Sequence, residues 1–215
     1  MKPKYYCIFF IAISNLIHTF FPSPNDCVMV GSYGGGYSGF WYYYGKLIDN
    51  NNYYLDKELY CFSSGCLAIV SSIQHNNYNF LRNMVKEIKE DYDKNIINRF
   101  HVRNEFIYKI SNRVIDISKY NLNILTSNYF GNCTIIKPQS REELIDALNQ
   151  TTNIPFITGI LNISQNIDGG FCFNKYPICK TKIQAPLTYK FLINIFNPNM
   201  NEDLAINYFM NYNKK

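Results

Sequence analysis

Apolar residues fall in short bursts divided by polar turns, and the bursts alternate between two kinds. Residues 27–31, Cys-Val-Met-Val-Gly, form an unbroken apolar run of strand length and predict a buried strand. The breaker cluster Pro22-Ser23-Pro24-Asn25 precedes it, and Gly34-Gly35-Gly36-Tyr37-Ser38-Gly39 follows closely. The aromatic segment 40–47 predicts a helix packed on the sheet, and 49–52 a polar turn. Residues 59–62 predict a second short strand. From Ser64 the small and apolar Gly65, Leu67, Ala68, Ile69 and Val70 continue as a helix.

The stretch 78–117 is mixed and helical in period, with Leu81, Val85 and Ile88 at i, i+4 and i+7 on one face. Residues 122–126 and 134–136 predict two strands around a Gly131-Asn132 turn. Ser140-Arg141-Glu142-Glu143 is a capping box that starts a helix running to about Leu148. An apolar run at 156–163 leads to Asp168-Gly169-Gly170, and the tail from Thr188 predicts one or two amphipathic helices. Strands alternating with helices predict an α/β fold, a three-layer sandwich around a mainly parallel sheet. No internal repeat and no second domain are visible.

The N-terminus is of another character. Lys2 and Lys4 precede an apolar run over 5–21, interrupted by Asn15 and His18. Residues 1–24 therefore predict a signal peptide or signal anchor, and 25–215 the folded domain. No other stretch is long enough to span a bilayer. Apolar residues make up 47% of the 215 residues and charged residues 17%, which excludes a disordered chain. The net charge is +5, with Lys and Arg scattered rather than clustered. That argues against a nucleic-acid partner and is compatible with an anionic lipid surface. Seven cysteines, with no Cys-x-x-Cys pair, argue against a zinc ribbon. They do not prescribe a disulfide framework, and free, partly buried thiols are the expected state. Loss of a leader would remove Cys7 and leave six, which suits an oxidising compartment. Sequons at Asn132, Asn149 and Asn162 carry no weight in a chain so rich in Asn.

Three motifs carry candidate chemistry. Cys61-Phe62-Ser63-Ser64-Gly65 lies between a predicted strand and a predicted helix, where a tight turn lifts a nucleophilic serine off the sheet. Small residues at Cys61 and Gly65 let strand and helix approach, and the helix from Ser64 turns free N–H groups toward the serine. The Gly34-Gly35-Gly36 turn can aim backbone N–H groups at an oxyanion. The same glycines satisfy a dinucleotide fingerprint, but that requires a carboxylate closing the next strand. The next strand closes in Phe62-Ser63-Ser64. Asp168-Gly169-Gly170 suits a sharp bend presenting a carboxylate. The histidines are His18, His75 and His101, none after Asp168, so a Ser-Asp-His triad order fails. A serine hydrolase on this chain needs another base, and Asp168 can serve if it is partly desolvated.

In this order the motifs resemble the patatin-like phospholipase family. Gly34-Gly35-Gly36-Tyr37-Ser38-Gly39 is similar to its oxyanion turn, Cys61-Phe62-Ser63-Ser64-Gly65 to its Gly-x-Ser-x-Gly elbow, and Asp168-Gly169-Gly170 to its Asp-Gly-Gly motif. Residues 122–127 resemble its central strand, and 144–156 its helix and small-residue turn. Asn174-Lys175-Tyr176-Pro177 keeps its Asn-x-x-Pro ending. Two positions depart: Ser38 stands where the family has a basic residue, and Cys61 where it has a glycine. The shape near 39–45 leans to the triglyceride-lipase branch.

The resemblance implies cleavage of phospholipid or glyceride esters at a membrane or lipid-droplet surface, with no metal or cofactor. Ser63 is the implied nucleophile and Asp168 the base. Gly34, Gly35, Gly36 and Ser64 form the oxyanion hole, with Cys61, Gly65, Gly39, Gly169 and Gly170 supporting the turns. The leader implies the secretory pathway or a membrane, a cytoplasmic lipid surface being the alternative. Phe40, Trp41, Tyr42, Tyr43 and Tyr44 are expected to pack the core rather than to border an acyl groove. The rival readings are an inactive relative that binds lipid or a partner, motivated by Ser38 and Cys61, and a nucleotide-binding oxidoreductase.

Overall fold

The computed structural model describes residues 25–185, apart from 32–35, 75–76, 113, 115, 156, 160–161, 163 and 173–176. The expected leader, the helices after Thr188, and the histidines His18 and His75 lie outside the described residues.

The first strand is β1 (Asn25–Val30), followed by α1 (Gly36–Asp49) and a short α2 (Asn51–Leu55). Next come β2 (Glu58–Cys61), α3 (Ser64–Gln74), α4 (Tyr78–Asp93) and α5 (Arg99–Ser111). β3 (Leu122–Ser127) and β4 (Cys133–Ile136) form a hairpin, and α6 (Arg141–Thr151), β5 (Ile167–Asp168) and β6 (Cys179–Ile183) complete the order. The sheet runs β4-β3-β2-β1-β6, with β5 also on β3. The pairs β1–β2, β2–β3 and β1–β6 are parallel; β4 and β5 run antiparallel to β3. The α/β class and the mostly parallel sheet therefore hold.

Strand alternation sorts the core into two faces. Val28, Val30, Leu59, Cys61, Leu122, Ile124 and Ile183 join the apolar side chains of the helices in one large cluster. Cys27, Met29, Phe62, Leu125 and Cys179 form a small cluster apart from it, with Tyr60 against it. Among the described residues the α-helices thus cover one face of the sheet.

The aromatic run of α1 lies inside this core. Trp41, Tyr43 and Tyr44 are fully buried, and Phe40 and Tyr42 nearly so. Phe40 meets Phe106 of α5 edge-on at 5.3 Å, and Tyr44 meets Tyr78 of α4 at 5.1 Å. The core-packing expectation holds, and these rings do not border a groove.

Several local expectations are corrected. The helical stretch 78–117 is two helices, because the chain turns through Asn95 at φ +58° and Asn98 restarts it as an N-cap, accepting from Phe100 N at 3.0 Å. Ser140 caps α6 by accepting from Glu143 N at 3.2 Å, but the Glu143 carboxylate accepts from Gln139 N, one residue before the expected box partner. The described part of the apolar run at 156–163 lies in turns held by Thr158 and Gly159 N–H groups on Ile154 O.

The free-thiol expectation is overturned. All six cysteines of the described residues pair: Cys27–Cys179, Cys61–Cys66 and Cys133–Cys172. The first closes a span of 152 residues and the second a span of 5. A chain-entropy account assigns the long closure about 5 kcal/mol and the short one about 2 kcal/mol. Cys27–Cys179 is thus the main staple, joining β1 to the edge strand β6.

Candidate active site

The site begins where β2 ends. Cys61 pairs with Ile124 of β3, and the chain then leaves the sheet and enters α3 within three residues. That reversal places Ser63 at φ +52°. A side chain in the left-handed region is strained by roughly 1–3 kcal/mol and persists only where the surroundings enforce it. Three hydrogen bonds do so. Gly65 N donates to Phe62 O and Cys66 N to Ser63 O, each at 3.1 Å, and Ser63 N donates to Thr151 Oγ1 at 3.0 Å. Thr151 Oγ1 in turn donates to Leu125 O at 2.6 Å, tying the elbow to β3 and to the end of α6.

Close approach explains two of the glycines. A Cβ on Gly65 would lie 2.7 Å from Val30 C and still closer to Val30 O, both backbone atoms of β1. A Cβ on Gly169 would lie 2.8 Å from Leu125 C and from Phe62 Cβ. Gly65 lets α3 start against β1, and Gly169 lets the loop after Asp168 lie on β3 and the elbow.

Asp168 arrives from the far end of the sequence by a simple device. β2 stops pairing with β3 at Ile124, and β5 takes up the vacated side of β3, with Asp168 opposite Thr126. The carboxylate therefore stands in line with the end of β2, beside Ser63. Asp168 N donates to Asn153 O at 3.0 Å, and Oδ1 accepts from Gly170 N at 2.7 Å. Oδ2 is buried and has no hydrogen bond of ordinary geometry, yet the Ser63 hydroxyl is near enough to act on the carboxyl's ionisation. Burial pushes the Asp168 pKa up to about 6, against the opposing pull of the Ser63 hydroxyl, the Gly170 N–H and the Arg103 charge. A carboxylate with one oxygen anchored and the other open to a nearby hydroxyl can take a proton.

Sequence reasoning did not single out Arg103. Its Nη1 donates to Thr152 O at 3.3 Å and its Nη2 to Asn104 Oδ1 at 3.1 Å. It lines an open groove of about 820 Å³ with Asn153, Thr158 and Asn166, whose other walls are mostly carboxamides. The signal was faint: one arginine on a helix with no patterned partner. Thr151 lay within the small-residue turn of the family resemblance but had no assigned role.

The remaining predicted residues divide. Ser64 begins α3, and its N–H, at the first helical position, has no intrahelical acceptor. Gly36 begins α1 at φ +46°, and Gly39 sits within α1 against the Tyr43 ring. Gly34 and Gly35 lie outside the described residues. Cys61 is bonded through its sulfur to Cys66, so more than its small size explains its place. His101 is exposed on α5, outside the Ser63–Asp168 pair. The chain matches no protein-family model and no curated protein.

Proposed function

We propose that the protein is a serine acyl hydrolase acting on lipid esters through a Ser63–Asp168 dyad, on a patatin-like three-layer fold. One observation carries this reading: a serine held at φ +52° between strand and helix, beside a buried aspartate brought in by β5. A structural turn has no need of a strained serine or of a desolvated carboxylate next to it.

Ser63 Oγ attacks the ester carbonyl carbon while Asp168 Oδ2 takes the hydroxyl proton. The oxyanion is held by the Ser64 N–H at the head of α3, with the 34–36 glycine turn as the second donor. The Asp168 carboxyl returns its proton to the leaving alcohol, leaving an acyl-serine. Water, deprotonated by Asp168, then adds to the acyl carbon, and the fatty acid leaves as Ser63 regains its proton. The polar groove beside Asn153 and Asn166 is also lined by Arg103, whose charge acts on Asp168, and it suits a polar head group.

Two further features support a lipid surface as partner. Phe130, 84% exposed, tops the turn after β3, at the same end of the strands as the elbow. Phe171, 39% exposed, stands three residues past Asp168. Phe130→Ser is expected to weaken sedimentation with phosphatidylcholine vesicles several-fold while hydrolysis of a soluble aryl ester is unchanged. Three disulfides support a secretory-pathway location.

The test of the reading is labelling by a fluorophosphonate. A single adduct on the peptide holding Ser63, in folded protein, supports it. An unlabelled Ser63, with no hydrolysis of phospholipid, glyceride or short aryl esters, leaves the inactive lipid-binding relative in its place.

The ionisation of Asp168 sets the pH dependence. The base must be charged, so kcat/KM is expected to fall tenfold per pH unit below about 6 and to level off above it. Arg103 lowers that pKa, so Arg103→Met is expected to move the acid limb to higher pH. A pH–rate profile of both proteins checks this; a limb that stays in place or moves down contradicts it.

A further inference from the structure

We infer that the Cys61–Cys66 disulfide is a positioning clamp for Ser63, holding the two ends of the elbow together so that the serine cannot relax out of its left-handed conformation. Both cysteines are fully buried, and their Cα atoms are 5.0 Å apart. Between them lie only Phe62, Ser63, Ser64 and Gly65.

Fully extended, five residue steps reach about 17 Å. Turning Ser63 from φ +52° to an ordinary negative φ would redirect the chain and carry Cys66 away from Cys61. The covalent bridge forbids that separation, whereas the hydrogen bonds Gly65 N to Phe62 O and Cys66 N to Ser63 O merely disfavour it. The bridge also spans far too few residues to act as the main staple of the fold, a part that falls to Cys27–Cys179. Its location rather than its contribution to global stability gives it a role. Cys61 is small enough for the close approach of strand and helix, and its sulfur also makes it one jaw of the clamp.

The kinetic part of the inference rests on the hydrolase reading, and the test separates the two. Cys61→Ala/Cys66→Ala is compared with the unaltered protein and with Cys27→Ala/Cys179→Ala. A second variant, Cys61→Ala/Cys66→Val, refills the volume of the lost sulfurs. Fluorophosphonate labelling, aryl-ester kinetics and amide hydrogen exchange are measured below the unfolding transition of each. Both elbow variants are expected to lose at least tenfold in kcat and labelling rate with KM unchanged. Their Ser63 and Cys66 amides are expected to exchange at least tenfold faster, while core amides of β1 and β3 keep their protection. Cys27→Ala/Cys179→Ala is expected to melt lower yet to keep its kcat.

Unchanged exchange at Ser63 and Cys66 in the elbow variants would overturn the clamp, whether or not the protein hydrolyses esters. So would full kcat in the refilled variant, which would assign the effect to packing. If the unaltered protein neither labels nor hydrolyses, the hydrolase reading fails and the exchange data alone decide the clamp.

Discussion

Ser63→Ala is expected to abolish ester hydrolysis, with a loss of at least about 10³-fold, while the thermal transition stays close to that of the unaltered protein. Alanine tolerates φ +52° no better than serine, so the strain remains and only the hydroxyl is lost. Asp168→Asn is expected to cost activity on the same scale, since the amide cannot take the proton. It should also do something a surface change would not, which is to stabilise the fold in mild alkali. The folded carboxyl has a pKa near 6, against the ordinary 3.8. Between those values the folded state binds more protons than the unfolded one, so stability falls as pH rises through the window. Above it the cost of charging the buried group is fully present, about 3 kcal/mol for a difference of about 2 pH units. Asn removes that cost while keeping an oxygen for the Gly170 N–H. At pH 8 Asp168→Asn should therefore melt higher than the unaltered protein, and the gap should close below pH 4. Thermal unfolding at both pH values, beside an aryl-ester assay, checks the pair of claims. An active Asp168→Asn enzyme would end the dyad assignment.

A large loss of stability from a single added methyl group is expected at Gly65. Its Cβ would meet backbone atoms of Val30, which cannot rotate away as a side-chain end can. α3 must then lift from β1, and with it Cys66, Ala68, Ile69 and Val70, all fully buried. Gly65→Ala should cost at least about 3 kcal/mol and lower Tm by roughly 6–12 °C. Activity should fall with it, because the first turn of α3 also carries the Ser64 N–H. A Tm within about 2 °C of the parent, a cost of no more than about 1 kcal/mol, would show that strand and helix have more room than the geometry allows.

Much of the scaffold was legible because its signals are local. Unbroken apolar runs marked β1 and β2, the Gly131-Asn132 turn marked β3 and β4, and the Ser140 cap marked the start of α6. The edge strand β6 escaped notice because Lys180 and Lys182 interrupt it, as charges commonly do on an edge that must not pair further. β5 escaped because two residues have no periodicity. Those two residues nevertheless decide the site: by taking the side of β3 that β2 gives up, they put Asp168 beside Ser63. The two members of the proposed dyad could thus be named from their motifs, while their meeting depended on a register no local pattern encodes. The cysteines went astray for a related reason. Spacing along the chain says little about which sulfurs meet when one pair is separated by 152 residues and another by 5.

Those three sulfur bridges bear on how the molecule has to be manufactured. The six cysteines of the described residues alone can pair in 15 ways, and a bacterial cytosol would supply neither an oxidant nor an isomerase to select among them. Material from such a host would carry a fold without its β1–β6 staple and an elbow without its brace, and its inertness in an assay would be a property of the preparation. Periplasmic or eukaryotic secretion is the appropriate source, with a thiol count of the purified product taken before any substrate is tried.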